Sequence, residues 1–162
     1  MDDCLIVGHP KAVAEAKKQM MAQFDCDEVG DMKEYIGCKV EYNRSACYVK
    51  LTQPVLLQSF VDEFDLPKDL SEPVTPAVPG EVLHKGAEKE QVTTADQKIY
   101  CSGVGKLLHL MKTSRPDVLN AVRELSRFMS GATQKHMTSM FRVMKYCLGT
   151  PKRGLMLKPN CQ

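Results

Sequence analysis

Asp2 and Asp3 are adjacent carboxylates directly ahead of the short apolar run Cys4-Leu5-Ile6-Val7-Gly8. Two-metal nucleotidyl transfer needs such groups. Carboxylate oxygens bridge a pair of Mg²⁺ ions about 3.5–4 Å apart, one activating a hydroxyl and the other clamping a triphosphate. Hard divalent cations choose oxygen ligands, so aspartate fits where cysteine or histidine would not. Successive residues on a strand point to opposite faces, so Asp2 and Asp3 can share one site only from a hairpin turn. A third carboxylate must come from elsewhere. Taken alone, an Asp-Asp dipeptide is weak evidence, because most are solvated surface.

Other constellations carry less chemistry. No phosphate-binding loop, dinucleotide fingerprint or nucleophile elbow occurs. Gly103-x-Gly105 lacks a third glycine and follows no strand, which leaves helix packing as its use. His136, beside Thr133, reads as a packing residue at a helix N-terminus. The seven cysteines and four histidines are widely spaced with no C-x-x-C pair, which argues against a zinc site or a disulfide framework. Reduced thiols acting as small apolar residues are expected. Arg123 and Arg127 lie one turn apart on a polar helical face, as do Arg142 and Lys145 on the next helix. All four are candidate phosphate contacts, or else simply exposed charge.

The 162 residues suit one domain or two small ones. The net charge of +2 hides a division along the chain. Residues 1–66 carry 7 Lys/Arg against 12 Asp/Glu, whereas residues 99–162 carry 11 against 2. That asymmetry points to a polyanionic partner for the basic end. No apolar run approaches the ~20 residues of a membrane span, and no basic-then-apolar leader opens the sequence. An intracellular protein without a membrane partner is expected.

These residues must be held by elements that the pattern predicts in turn. Residues 4–8 read as a strand leaving the Asp pair. Pro10 starts a helix with Val13, Ala16, Lys17, Met20, Met21 and Phe24 along one stripe. Residues 25–31 are acidic and turn-like. Residues 35–42 read as a strand, Asn43-Arg44-Ser45 as a turn, and Cys47 to Leu51 as the return strand of a hairpin. Thr52-Gln53-Pro54 opens a helix whose apolar face is Leu56, Leu57, Phe60, Val61 and Phe64. Six prolines and glycines then break residues 67–95 into a linker, long enough to mark a domain boundary. Thr94 to Gln97 is a possible capping box for a helix through Lys112, with Ile99, Val104, Leu107, Leu108 and Met111 inward. Ser114-Arg115-Pro116-Asp117 starts another, carrying Val118, Leu119, Val122, Leu125, Phe128 and Met129. Thr133 caps a third, lined by Met137, Met140, Phe141, Met144 and Leu148. Leu155-Met156-Leu157 is a short terminal strand.

Several segments together resemble the C-terminal part of a copia-type retrotransposon reverse transcriptase. Met1-Asp2-Asp3-Cys4-Leu5-Ile6-Val7-Gly8 resembles that family's Tyr-x-Asp-Asp hairpin and following strand, without the Tyr. Phe24 through Gly37 resembles its stretch of a Phe, a Leu-Gly pair and a Tyr-Phe-Leu-Gly strand, Leu51-Thr52-Gln53 its motif before the thumb helix, and Pro73-Val74-Thr75-Pro76 its linker. The longest likeness runs through Tyr100 to Leu110, Thr113 to Val122, Leu125 to Ser130, Thr133 with His136, and Lys145 to Thr150.

The resemblance implies an α+β fold, the end of a polymerase palm with antiparallel strands plus a helix, followed by a mainly helical thumb/connection region. Residues 1–51 would be the C-terminal part of the palm, 52–66 the start of the thumb, 67–95 a linker, and 96–162 the helical thumb/connection region. It implies Asp2 and Asp3 as catalytic Mg²⁺ ligands, and a template-primer duplex with deoxynucleotide triphosphates as partners. It also implies a cytoplasmic virus-like particle or the nucleus as location. The family's fingers and upstream palm Asp are absent from this sequence, so the chain alone is expected to be inactive, with the N-terminal half of the polyprotein as a possible partner. The alternative is a non-catalytic nucleic-acid-binding module using the basic helices of residues 96–149.

Overall fold

Proline at a first helical position loses no intrahelical hydrogen bond, and Pro10 opens helix α1, Pro10–Gln23. In this computed structural model, which describes residues 4–28, 30, 32–66 and 73–159, α1 buries no residue fully. Val13, Ala16, Lys17 and Met20 are half-buried along the expected stripe, while Met21 and Phe24 are exposed. Residues 4–8 do not form the expected strand. A strand needs a neighbour to take its N–H and C=O groups. The described sheet pairs no strand with this segment, and Val7 is 83% exposed.

The sheet has four antiparallel strands in the order β1-β2-β3-β4: β1 Glu34–Tyr35, β2 Cys38–Asn43, β3 Tyr48–Thr52 and β4 Leu155–Leu157. The single strand expected over 35–42 is broken in two. Tyr35 pairs with Cys38, so Ile36 and Gly37 form a two-residue turn, with φ of 48° and 71°. Positive φ at both positions is the backbone of the tightest hairpin turn. Glycine adopts it freely, but Ile36 is β-branched and strained there. The β2–β3 hairpin lies where expected, its turn held by Asn43 Oδ1 accepting from the Ala46 N–H at 2.8 Å. Cys38 and Val40 face inward from alternate positions on β2.

Helix α2, Pro54–Glu63, follows β3 directly and buries Leu57 and Phe60. Phe64 is also buried, whereas Val61 is 54% exposed and lies off the apolar face expected to include it. Residues 73–92 form no helix or strand beyond the 3₁₀ turn Glu88–Glu90, yet they are anchored. Leu83 and Val92 pack on the main core, and the Val92 N–H donates to Ala132 O at 2.9 Å.

Helix α3, Thr94–Thr113, is capped by Thr93 rather than by the expected Thr94. The Thr93 hydroxyl oxygen accepts the Asp96 N–H at 3.2 Å and its proton goes to Asp96 Oδ2 at 2.8 Å. Gln97 does not close a capping box. Its amide bridges to the turn before α5 instead, donating to Met129 O at 2.7 Å and accepting the Ala132 N–H at 2.8 Å. Val104 and Leu107 face inward as expected, joined by Tyr100 and Leu110, while Ile99 is 42% exposed.

Residues 114–118 do not begin an α-helix. They form a corner with the 3₁₀ turn Pro116–Val118, and α4 starts at Leu119, running to Ser126. Val118, Val122, Leu125 and Phe128 are buried, whereas Leu119 and Met129 are exposed.

Helix α5, Gln134–Gly149, buries Met137, Met140 and Met144, together with His136, Val143, Tyr146 and Cys147. Gly103 lets α3 and α5 approach: a Cβ there would lie 2.4 Å from Met140 Sδ and 2.9 Å from Met144 Cε. Gly105 faces open space, so close packing explains only the first of the two glycines.

One continuous core contains Leu57, Phe60 and Phe64 of the α2 segment alongside the buried side chains of α3, α4 and α5. The helix before the linker thus shares its interior with those after it.

Candidate functional site

The Asp2-Asp3 pair lies outside the described residues. The segment that follows it, beginning at Cys4, lines a cavity of about 500 Å³ together with α1 and the β1–β2 turn. Asp27, Glu28 and Glu34 also line it. Among the described residues, no three His, Cys, Asp or Glu side chains gather so as to hold a metal ion. An ion pair between Lys17 and Glu28 spans part of the rim.

The four basic candidates divide between two elements. Arg123 lies on α4 and is exposed. Arg127 caps the end of α4, where its guanidinium pairs with Glu124 at 2.7 Å and lies over the Phe128 ring at 5.7 Å. Arg142 and Lys145 are half-buried on α5. Arg142 Nη2 is 3.4 Å from Thr75 Oγ1 in the segment before α3, and its Nε is buried without a hydrogen-bond partner among the described residues.

The charge asymmetry is partly cancelled in space. Lys106 on α3 meets Glu63 of α2 at 2.6 Å, and Lys135 on α5 meets Glu81 at 2.9 Å. Acidic residues of the first half and the linker therefore fold against the basic half.

Two of the segments that carried the resemblance, Thr113 to Val122 and Lys145 to Thr150, meet in one polar cluster around a buried arginine. Arg115 is only 1% exposed. Its Nε and Nη2 grip Asp117 Oδ1 and Oδ2 at 2.8 and 2.9 Å, a two-pronged geometry only a guanidinium can supply. Its remaining donors reach Thr150 at the end of α5, to the carbonyl at 3.2 Å and Oγ1 at 2.8 Å. The Tyr146 ring stacks 5.4 Å from the Arg115 guanidinium, and its hydroxyl donates to Asp117 Oδ2 at 3.1 Å. Arg153 lies on the other side, donating to the Tyr146 hydroxyl at 2.5 Å. Burial opposes ionisation of both Arg115 and Asp117, but their mutual hydrogen bonds outweigh it. The guanidinium is raised above its ordinary value and the carboxyl lowered below its own.

Beside this cluster, Gln53 is 2% exposed just ahead of α2. Its Oε1 accepts from the Thr113 and Ser114 hydroxyls at 2.5 and 2.9 Å. Leu51-Thr52-Gln53, Thr113 to Asp117 and Tyr146 to Thr150 thus meet where the sheet, α2, α3, α4 and α5 join. Arg115 and Gln53 escaped the reading from residues alone, since a sequence marks them as polar and says nothing about burial. Their signal was the shared likeness of three distant short segments.

His136 fills the packing role expected of it. The ring is 1% exposed, stacks on Phe128 with centroids 4.0 Å apart, and accepts the Thr133 N–H on Nδ1 at 2.9 Å. This replaces half of the usual reciprocal N-terminal cap. Burial holds its pKa below the ordinary value, opposed by a backbone hydrogen bond with His84 and aided by the charge of Lys135. The six described cysteines are unpaired. Cys147 is buried, and burial raises its thiol to about 12, which keeps it protonated and inert.

The chain is similar to the retrovirus-related Pol polyprotein from transposon TNT 1-94 of Nicotiana tabacum, 28% identical over 93% of this chain. It is 27% identical, over 98% of its residues, to that from transposon RE1 of Arabidopsis thaliana. These matches cover 12% and 10% of the respective polyproteins, so the chain spans about a tenth of their length. A shorter stretch, 35% of the chain, is 39% identical to secreted RxLR effector protein 161 of Plasmopara viticola, covering 39% of that protein. No protein-family model matches, and no solved structure matches. Homology along nearly the whole chain relates it to retrotransposon Pol polyproteins. Among the described residues, no helix is long and apolar enough to cross a membrane.

Proposed function

We propose that this chain is the part of an RNA-directed DNA polymerase that runs from the metal-binding Asp-Asp motif through the thumb. Asp2 and Asp3 are its Mg²⁺ ligands, and residues 96–149 supply a basic surface beside the template-primer duplex. The observation that carries the reading is one of order. An Asp-Asp pair precedes a segment related along its length to Pol polyproteins, with the three motif segments in sequence behind it.

In this reading the bound Mg²⁺ ions supply charge neutralisation at the transferred phosphoryl group. Asp2 and Asp3 would hold the ions through their carboxylate oxygens. The buried Arg115, bonded to Asp117 and Thr150, ties the corner before α4 to the end of α5. Arg123, Arg127, Arg142 and Lys145 draw the duplex backbone toward the chain.

Primer extension on an RNA template, by a Pol polypeptide that includes this segment, tests the assignment. Asp2→Asn or Asp3→Asn abolishes synthesis while template-primer binding is kept. Undiminished synthesis by both variants would sink it. The alternative, a non-catalytic nucleic-acid-binding module, is favoured by the same basic residues. It requires salt-dependent duplex binding by this chain with no loss of any function on replacing the two aspartates. Each phosphate contact on duplex should add roughly 0.9 to the slope of log affinity against log salt.

A further inference from the structure

We propose that Thr75 is a phosphorylation site, read by the guanidinium of Arg142. Thr75 precedes Pro76 in an exposed bend, with neighbouring Val74 90% exposed. Its hydroxyl is turned inward along the surface, donating to Ala77 O at 2.8 Å, and its Oγ1 lies 3.4 Å from Arg142 Nη2. That contact is too long to be a strong hydrogen bond.

The donor edge behind it is unfinished. Nε and Nη2 of an arginine share one side of the guanidinium plane, the edge with which Arg115 grips Asp117 in this same protein. In Arg142 that edge has Nη2 near Thr75, and Nε is buried with no acceptor among the described residues. A buried polar group left unmet demands a physical reason. A phosphoryl group on Thr75 Oγ1 brings three acceptor oxygens and close to two negative charges to this edge. Arginine and phosphate then pair through two parallel charge-assisted hydrogen bonds.

The chain contains its own control. Thr150-Pro151 is the same dipeptide, but the Thr150 hydroxyl donates to Tyr146 O at 2.7 Å and accepts from buried Arg115. It is half-buried inside the cluster and closed to an enzyme.

The modifying activity is a proline-directed serine/threonine kinase using ATP. The Thr75 hydroxyl oxygen forms the new bond to the γ-phosphorus and the bond between that phosphorus and the β–γ bridging oxygen breaks. ADP leaves, and the hydroxyl proton passes to the kinase's base. The consequence here is mechanical: segment 73–92, already paired to α5 through Glu81 and Lys135, gains a second ion pair to that helix.

The test treats the full chain with ATP and such a kinase and maps the product by mass spectrometry. Phosphate is expected on Thr75 and not on Thr150, and Thr75→Ala should remove it. The phosphorylated chain should melt about 2–4 °C above the unmodified chain. The second ionisation of the phosphate, followed by ³¹P resonance, should move to lower pH. Both changes should vanish in Arg142→Gln, each variant being compared with its own unmodified form so that any basal instability cancels. Arg142→Lys, which keeps the charge without the fork, should retain only part of the gain. No incorporation at Thr75, preference for Thr150, or a shift that survives Arg142→Gln would each overturn the proposal.

Discussion

Arg115 shows how a single side chain can fix the relation between elements. Its charge is fully enclosed, tied to Asp117 on the corner before α4 and to Thr150 beyond α5. Lysine carries the same charge but cannot reach both partners with a planar fork. Arg115→Lys should therefore cost roughly 2–4 kcal/mol, less than the 3–5 kcal/mol of removing a buried partner outright. Urea unfolding checks this, and a loss below 1 kcal/mol would be too small for the role assigned. His136 gives a pH dependence of known sign. The unfolded chain takes up a proton near pH 6.5, whereas the buried ring resists it until lower pH. Between those values the unfolded state holds more protons, so stability falls as pH drops below about 6.5, by at most ~1.4 kcal/mol per pH unit. His136→Gln should flatten the profile between pH 7 and 5, as followed by melting temperature.

At the scale of elements, α3 tests how helix propensity competes with packing. Alanine is better than glycine in a helix interior by about 1 kcal/mol. At Gly105 the added methyl meets nothing within 4 Å, so Gly105→Ala should gain most of that value. At Gly103 it collides with the ends of the Met140 and Met144 side chains, both fully buried, which must shift within the core to admit it. Overpacking should outweigh propensity there, leaving a net loss on the order of 1 kcal/mol. Chemical denaturation of the two variants side by side should give opposite signs. The same contrast marks what was legible. The spacing of Val104 and Leu107 revealed the inner face of α3, but not that Ile99 lies outside it and Tyr100 inside. Tyr100 is buried because its hydroxyl finds Leu125 O at 2.8 Å, a partner 25 positions away.

Across the whole molecule, the last strand closes the chain back onto the first half. β4 pairs Leu155, Met156 and Leu157 with Leu51, Lys50 and Val49 of β3. Gly154 permits the approach: a Cβ there would lie 2.2 Å from Leu51 O, a backbone atom unable to yield. Gly154→Ala should separate β4 from β3 at a cost of roughly 1–3 kcal/mol. Amide exchange should then quicken at residues 155–157 while the buried positions of α3 and α5 keep their protection. Equal quickening throughout would show instead that the sheet and helices open as a unit.

The sequence by itself determined the helices, the β2–β3 hairpin and the order of the motif segments, because local periodicity, proline and capping chemistry write these into neighbouring residues. Resemblance supplied the role proposed for Asp2 and Asp3. Only the tertiary structure decided that Tyr35 and Cys38 lie across a turn, that β4 joins the sheet, and that α2 shares a core with α3, α4 and α5. It alone brought Arg115, Asp117, Tyr146 and Thr150 into one hydrogen-bonded network, with buried Gln53 beside it on Thr113 and Ser114. The physical reason is that burial and pairing depend on groups far apart in the chain. A polar residue's type fixes what it can bond to, and only the fold fixes whether water or another side chain is there to receive it.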